Sequence, residues 1–390
     1  MKLKLLALAL SALPLCAFAE ITLYGTLQGS VGRTTQSNAP TLNQVGDTGS
    51  RLGIKGTENL SDGLKAIWQI ESKVHLDGHA QDKTTLGSRE TFVGLEDSAF
   101  GKLRIGYLNS PRKDMYTVDQ WKYAGHIRKN RDNDVEQHHS GVNGLAVLTN
   151  QSKRLKNAIR YDSPTVAGFS GSLAYGFGEN KSGTDGNNST VQYASDIFAL
   201  GVNYQYGPGF IRYAYDQEAN PNAIKTDGSK LSTSAQTGNT IQKARIHYVE
   251  AGYKDEQWLV AAAYQQAYGY DWTDGFSGDS KANFGNATTP VSSAQAKLRT
   301  RQMALSAAYT TGLFTPKLSL AKGWDQQVNG QRLEHSGYRQ FVAGLDYQLS
   351  KRTVTGVSYG RLTFDQNAHA AIDASKTSLS SWAFNLIHRF

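Results

Sequence analysis

Hydrophobic and polar positions alternate along this chain with a period of two. Phe198, Leu200, Val202, Tyr204 and Tyr206 are separated by Ala199, Gly201, Asn203 and Gln205. Phe341, Ala343, Leu345, Tyr347 and Leu349 repeat the pattern, as do Met303, Leu305, Ala307 and Tyr309, and Trp382, Phe384 and Leu386. Such alternation puts a bulky apolar set and a small or polar set on opposite faces of a strand. Sixteen segments of this kind begin near Ile21, Arg51, Leu64, Ser88, Lys102, Leu155, Phe169, Ile197, Phe210, Ala244, Gln257, Thr300, Phe314, Arg339, Val354 and Leu379.

Alternation alone does not separate a soluble sandwich from a membrane barrel. Segment length does: these run ~9–11 residues, enough for a tilted strand to cross a bilayer, whereas soluble strands average ~5–6. Many apolar stripes end on Tyr, Trp or Phe, as an interfacial girdle would. The connections alternate in length. Residues 206–209, 255–257 and 350–352 make short turns, while 216–240, 271–298 and 325–339 are long, polar and rich in Gly, Asn, Ser and Asp. Short turns on one side and long loops on the other are the plan of a bacterial outer-membrane barrel, here with sixteen candidate strands. The even count lets both chain ends lie on one side.

Composition fits. The chain has 390 residues, with 39 Gly, 8 Pro and one Cys, and charged residues make up 19%. No Pro-rich or acidic linker breaks the pattern, so residues 20–390 read as one domain. Residues 1–19 read as a cleaved export signal: Lys2 and Lys4 precede an apolar run over 5–15 and an Ala17-Phe18-Ala19 cleavage site. Cys16 offers a lipidation reading, but Leu15 precedes it where a small residue is expected. Cleavage removes the sole cysteine and lowers the net charge from +8 to +6.

No chemistry of another class stands out. No Gly-x-Ser-x-Gly elbow stands out, since such an elbow belongs on a strand-to-helix turn, and there is no phosphate-binding loop, so the sequence points to no enzyme and no nucleotide. His75, His79, His138 and His139 fall in polar loops, where solvated histidines outnumber metal ligands. No cofactor or metal is expected. The basic residues are interleaved with a membrane pattern rather than clustered as for nucleic acid.

In order and spacing the chain resembles the Gram-negative trimeric general porins, near their beta-proteobacterial branch. The resemblance runs through residues 21–26 (ITLYGT), 50–56 (SRLGIKG), 63–69 (GLKAIWQ), 89–95 (RETFVGL), 100–106 (FGKLRIG), 160–164 (RYDSP), 168–171 (GFSG), 349–353 (LSKRT) and the closing His388-Arg389-Phe390. It implies an all-β, 16-stranded antiparallel transmembrane barrel that forms a homotrimer in the Gram-negative outer membrane, among its lipids and lipopolysaccharide. It also implies a water-filled pore for small hydrophilic solutes and ions, and a third long loop folded inward. Phe390 corresponds to the family's signal for the outer-membrane assembly machinery.

The third long connection spans 108–156 and carries nine basic and five acidic residues, a net +4. A general porin of this family usually sets an acidic loop against a basic wall; here the loop is itself basic. Strand parity turns Arg51, Lys55, Lys65, Arg104, Arg160 and Arg212 inward. Arg89 points inward if Phe92 faces out and outward if Val93 does; the resemblance favours inward. Asp114 and Asp119 are the carboxylates placed to offset this ladder. A narrow aqueous path focuses the field of fixed charges, so the reading is a general diffusion channel with a weak anion preference. The alternative is a barrel specific for a sugar or nutrient anion. A sugar path needs aromatics on the pore side, and here they share the apolar parity.

Overall fold

The computed structural model describes residues 20–37, 41–76, 86–121, 147–148, 154–178, 181–184, 190–193, 196–219, 243–268, 298–328, 330–365 and 378–390. Residues 1–19, read from the sequence as an export signal, and most of the third loop's basic residues lie outside them. Sixteen barrel strands run in chain order: β1 (Glu20–Gln36), β2 (Leu42–Asp47 continued by Arg51–Ser61), β3 (Leu64–Lys73), β4 (Thr91–Asp97), β5 (Gly101–Asn109), β6 (Arg154–Asp162), β7 (Phe169–Gly176), β8 (Ile197–Tyr206), β9 (Gly209–Ala219), β10 (Lys243–Lys254), β11 (Trp258–Tyr268), β12 (Leu298–Tyr309), β13 (Phe314–Gly323), β14 (Tyr338–Ser350), β15 (Thr353–Phe364) and β16 (Ser378–Arg389). Two short ribbons, Lys181–Thr184 with Thr190–Tyr193 and Gln327–Val328 with Gln331–Arg332, decorate long loops.

Each strand pairs antiparallel with its neighbours, and β16 pairs with β1 from Thr26↔Arg389 to Gln36↔Leu379. The sheet therefore closes, leaving no edge to be satisfied by lipid. Every strand start read from alternation lies within three residues of one of these segments. No helix among the described residues is long and apolar enough to cross a membrane; the strands cross it.

The faces sort as the alternation requires. Leu23, Leu52, Val93, Ile105, Leu305, Leu320, Val357 and Phe384 are exposed on the outside, the band that meets lipid. At the short-turn end Phe169 stacks with Tyr204, Trp258 with Tyr309 and Phe314 with Tyr347 at centroid distances of 4.3, 4.4 and 4.9 Å. These paired rings are amphipathic bodies suited to a membrane interface. Phe390 locks the seam: it exchanges backbone hydrogen bonds with Gly25 at 3.0 and 3.1 Å. Its ring occupies the space of a Gly25 side chain, where a Cβ would lie 2.3 Å away.

The packed core is inside the barrel and is built on small residues. Ala214, Ala261, Ala263, Ala304, Ala308 and Ala321 line the inner wall and bury against Met115, Tyr116, Val118 and Trp121. Those four belong to the third loop.

Candidate functional site

The third loop leaves β5 at Asn109 and enters the lumen. A 3-10 turn over Pro111–Asp114 starts it, with the Ser110 carbonyl accepting the Lys113 N–H at 2.9 Å. Proline suits this position because its missing N–H would be unpaired there anyway. The inner wall makes room at two glycines. A Cβ on Gly201 would lie 2.7 Å from Pro111, and one on Gly344 would lie 2.9 Å from Trp121.

Residues 112–121 then fasten to the far wall strand by strand. The Arg112 guanidinium is 1% exposed and donates to Asp216 of β9 at 2.7 Å. It also donates to the Tyr116 hydroxyl and, at 3.4 Å, to Gln265 of β11. Arg212 of β9 donates to the Thr117 hydroxyl at 2.7 Å. The Val118 N–H donates to Glu250 of β10 at 2.6 Å, and its carbonyl accepts from Ser306 of β12. The Trp121 indole N–H donates to Ser319 of β13 at 2.7 Å, and the Lys317 ammonium sits 4.8 Å from its ring. Lys317 also pairs with Asp346 of β14 at 2.8 Å. A loop satisfied in this way has its polar groups matched where water is scarce.

The opposite wall, β2–β6, carries an ionic chain on its inner face. Glu71 accepts from Arg89 at 2.5 Å and from the Tyr24 hydroxyl at 3.1 Å, with Arg51 at 3.6 Å. Arg104 bridges Glu90 at 3.2 Å and Asp162 at 2.7 Å. Arg160 grips Asp162 through two nitrogens at 2.6 and 2.9 Å. It reaches Asp114 at 2.6 Å and the Asn109 carbonyl at 2.9 Å. The Asn109 amide donates to Glu90 at 3.1 Å and Asp114 at 3.3 Å. The foot of the loop is thus tied into the wall it springs from.

The remaining sequence-predicted residues fall as follows. Lys55 points into the lumen over the Tyr24 ring at 5.5 Å and has no carboxylate partner among the described residues. Lys65 also points inward, but it stands just past the Asp62–Gly63 turn, at the short-turn rim. Parity gives a side chain's face and says nothing of its height. Asp119 is buried within the loop and accepts the Trp121 N–H at 3.0 Å, so it shapes the loop's bend. Arg89 is inward, yet the condition attached to that reading is reversed. Val93 faces out at 61% exposure, and Phe92 faces in, under the Arg104 guanidinium at 5.2 Å. Arg89 escapes parity because β4 begins only at Thr91. The basic residues Lys122, Arg128, Lys129, Arg131 and Lys153, with His126, His138, His139 and His79, lie outside the described residues.

Sequence reasoning missed the acidic half of the site: Glu71, Glu90, Asp162, Asp216 and Glu250. The signal was present, since Asp162 shares the parity of Arg160, and Asp216 and Glu250 that of Arg212 and its β10 partner position. Arg112 was counted in the loop's charge but not foreseen as its main fastening. Among the described residues, no group of three His, Cys, Asp or Glu is disposed to hold a metal ion.

A wide closed barrel narrowed by its own third loop, with ions fixed on both sides of the gap, is built to pass small solutes. The sequence model described as Gram-negative porin matches residues 5–367. The major outer membrane protein P.IB of Neisseria sicca is 33% identical, with 100% of each chain covered. That of Neisseria meningitidis serogroup B, strain MC58, is 32% identical over 93% of each. Among solved structures, an anion-selective porin from Comamonas acidovorans superimposes with a TM-score of 0.66 at 20% identity, covering 95% of this chain and 100% of that one. OmpF of Salmonella typhi gives 0.62 at 17% identity, covering 95% and 98%. Barrel, inserted loop and whole-length relatives agree: this chain belongs to the Gram-negative porin family and forms a diffusion channel of the outer membrane.

Proposed function

We propose that the gap between the β2–β6 wall and the third loop is the constriction, and that it favours anions only weakly. The reading rests on one observation, charge compensation. Arg51, Arg89, Arg104, Arg112, Arg160, Arg212 and Lys317 each have a carboxylate within 4 Å. Paired charges of opposite sign leave a weak net field at the distance of a passing ion. Two sources of excess remain. One is Lys55. The other is the loop itself: Arg112, Lys113, Asp114 and Asp119 cancel, so its net +4 resides on residues 122–156.

Selectivity in a salt gradient tests this. The triple variant Arg128→Gln, Lys129→Gln, Arg131→Gln is expected to lose most of the wild-type anion preference; an unchanged preference would overturn the assignment. Liposome swelling with neutral sugars of graded size is expected to give rates ordered by size. A single outlying sugar would favour a substrate-specific barrel. We further read the channel as a homotrimer, since a porin fold neighbour, OmpT of Vibrio cholerae, is described in a trimer form. Single-channel records should then close in three equal steps.

A further inference from the structure

The foot of the third loop holds more carboxylates than cations. Glu90, Asp114 and Asp162 share the guanidiniums of Arg104 and Arg160, through ion pairs of 3.2, 2.7, 2.6 and 2.6 Å. No other cation pairs with these three acids among the described residues. With every group ionised, the cluster carries one surplus negative charge. Glu71 on β3 shows the opposite ratio, one carboxylate to Arg51 and Arg89.

The three acids are not equally placed. Asp162 accepts from both guanidiniums and from the Ser172 hydroxyl at 2.7 Å. The Asp114 side chain is 44% exposed, so water screens part of its charge. Glu90 has neither advantage. Its side chain is 15% exposed and meets a single cation, Arg104. Its other contacts are neutral, the Asn109 backbone N–H and side-chain amide, each at 3.1 Å. Glu90 sits in the bend before β4, outside the spanning strands. The charged and titratable groups around it are Arg104 of β5, Arg160 and Asp162 of β6, Asp114 of the loop, and Tyr24 of β1, which is itself bonded to Glu71 of β3. Arg89 adjoins it in the chain. Burial holds the Glu90 carboxyl above the ordinary glutamate range; Asp114 adds to the rise, and the Asn109 N–H and Arg104 oppose it.

A second observation points the same way. The Asn109 Oδ1 is buried with no hydrogen-bond partner among the described residues, and buried polar atoms in that state are uncommon. Ionised Glu90 offers only acceptors, so the Asn109 amide turns its Nδ2 toward it. A protonated Glu90 is a donor, and rotation of the amide then gives it Oδ1. We infer that Glu90 is a proton-responsive selectivity residue of the constriction: its ionised form holds the anion preference down, and proton uptake at the foot of the loop raises it. The sign follows from charge. Protonation cancels the surplus negative charge of the cluster, so the wall becomes more positive as pH falls. The inference rests on the proposed constriction and names the group that regulates it.

The test follows the chloride-to-potassium permeability ratio of the purified full-length channel in a planar bilayer, from neutral pH into the mildly acidic range. For wild type the ratio is expected to rise about twofold, the effect of one unit charge ~8 Å from an ion in water. Glu90→Gln, of nearly the same shape, should show the raised ratio at neutral pH and no further step. Glu90→Asp should keep a step. Asp114→Asn should move the midpoint of the step to lower pH, a shift that a merely structural role for Glu90 would not produce. That variant also serves if Glu90→Gln fails to assemble. His75, His126, His138 and His139 titrate in the same range, and a step of theirs would persist in Glu90→Gln. A flat wild-type ratio, or a step of wild-type size in Glu90→Gln, would overturn the inference. Arg104→Glu separates it from the constriction reading: if that variant shifts the reversal potential while Glu90→Gln keeps the step, this inference alone fails.

Discussion

The two sides of the pore use the same residue types to opposite ends. On the β9–β14 side, Arg112, Glu250 and Trp121 are buried and bind loop to wall. On the β2–β6 side, Arg51, Arg89 and Arg104 pair with carboxylates and stay partly exposed on the inner face. An arginine in a pore is therefore not by itself a selectivity device. What matters is whether its charge is spent on holding the loop or is left facing the path of ions. The first kind of residue should govern pore size and stability, and the second the sign of the current carriers.

The largest effect should come from breaking the fastened side. Arg112→Ala removes the partner of Asp216 and strands a half-buried carboxylate, a change costing on the order of 3 kcal/mol. The expected outcome is a lowered thermal unfolding midpoint with a raised and noisier conductance, read by single-channel recording. Conductance and midpoint both unchanged would mean that the loop is held elsewhere.

A smaller effect on stability, but a larger one on selectivity, belongs to the open side. Arg104→Glu would set a new carboxylate beside Glu90 and Asp162, which Arg104 now bridges. The reversal potential should move toward cations with conductance of the same order. No movement would remove Arg104 from the constriction. Lys55→Gln deletes one uncompensated charge without breaking an ion pair, so it should trim the anion preference and leave the unfolding midpoint unchanged. Lys65→Gln, at the short-turn rim, should change neither beyond measurement error; a shift equal to that of Lys55→Gln would show that the field is set at the mouth.

The contrast between the two sides also marks what the sequence made legible. Strand positions and the inward direction of Arg51, Lys55, Arg104 and Arg160 followed from alternation, because a closed barrel in lipid turns a predominantly apolar face outward. Arg89 needed more than parity, since it precedes its strand. The fastening of the loop was not legible. Arg112 meets Asp216 and Gln265, and Val118 meets Glu250, across separations of 104, 153 and 132 residues. Periodicity is a local signal and carries no information on such pairings. The acids of the open wall were visible as charges on the inner face, but their pairing with particular arginines depends on register between strands.

On the proposed reading, compensation on both walls leaves a small positive excess at the constriction. The reversal potential of the wild-type channel in a planar bilayer, across a tenfold gradient of potassium chloride, tests it directly. The expected result is a modest potential of the sign given by chloride permeating faster than potassium. A potential of cation-selective sign, or one approaching the full chloride limit, would contradict it.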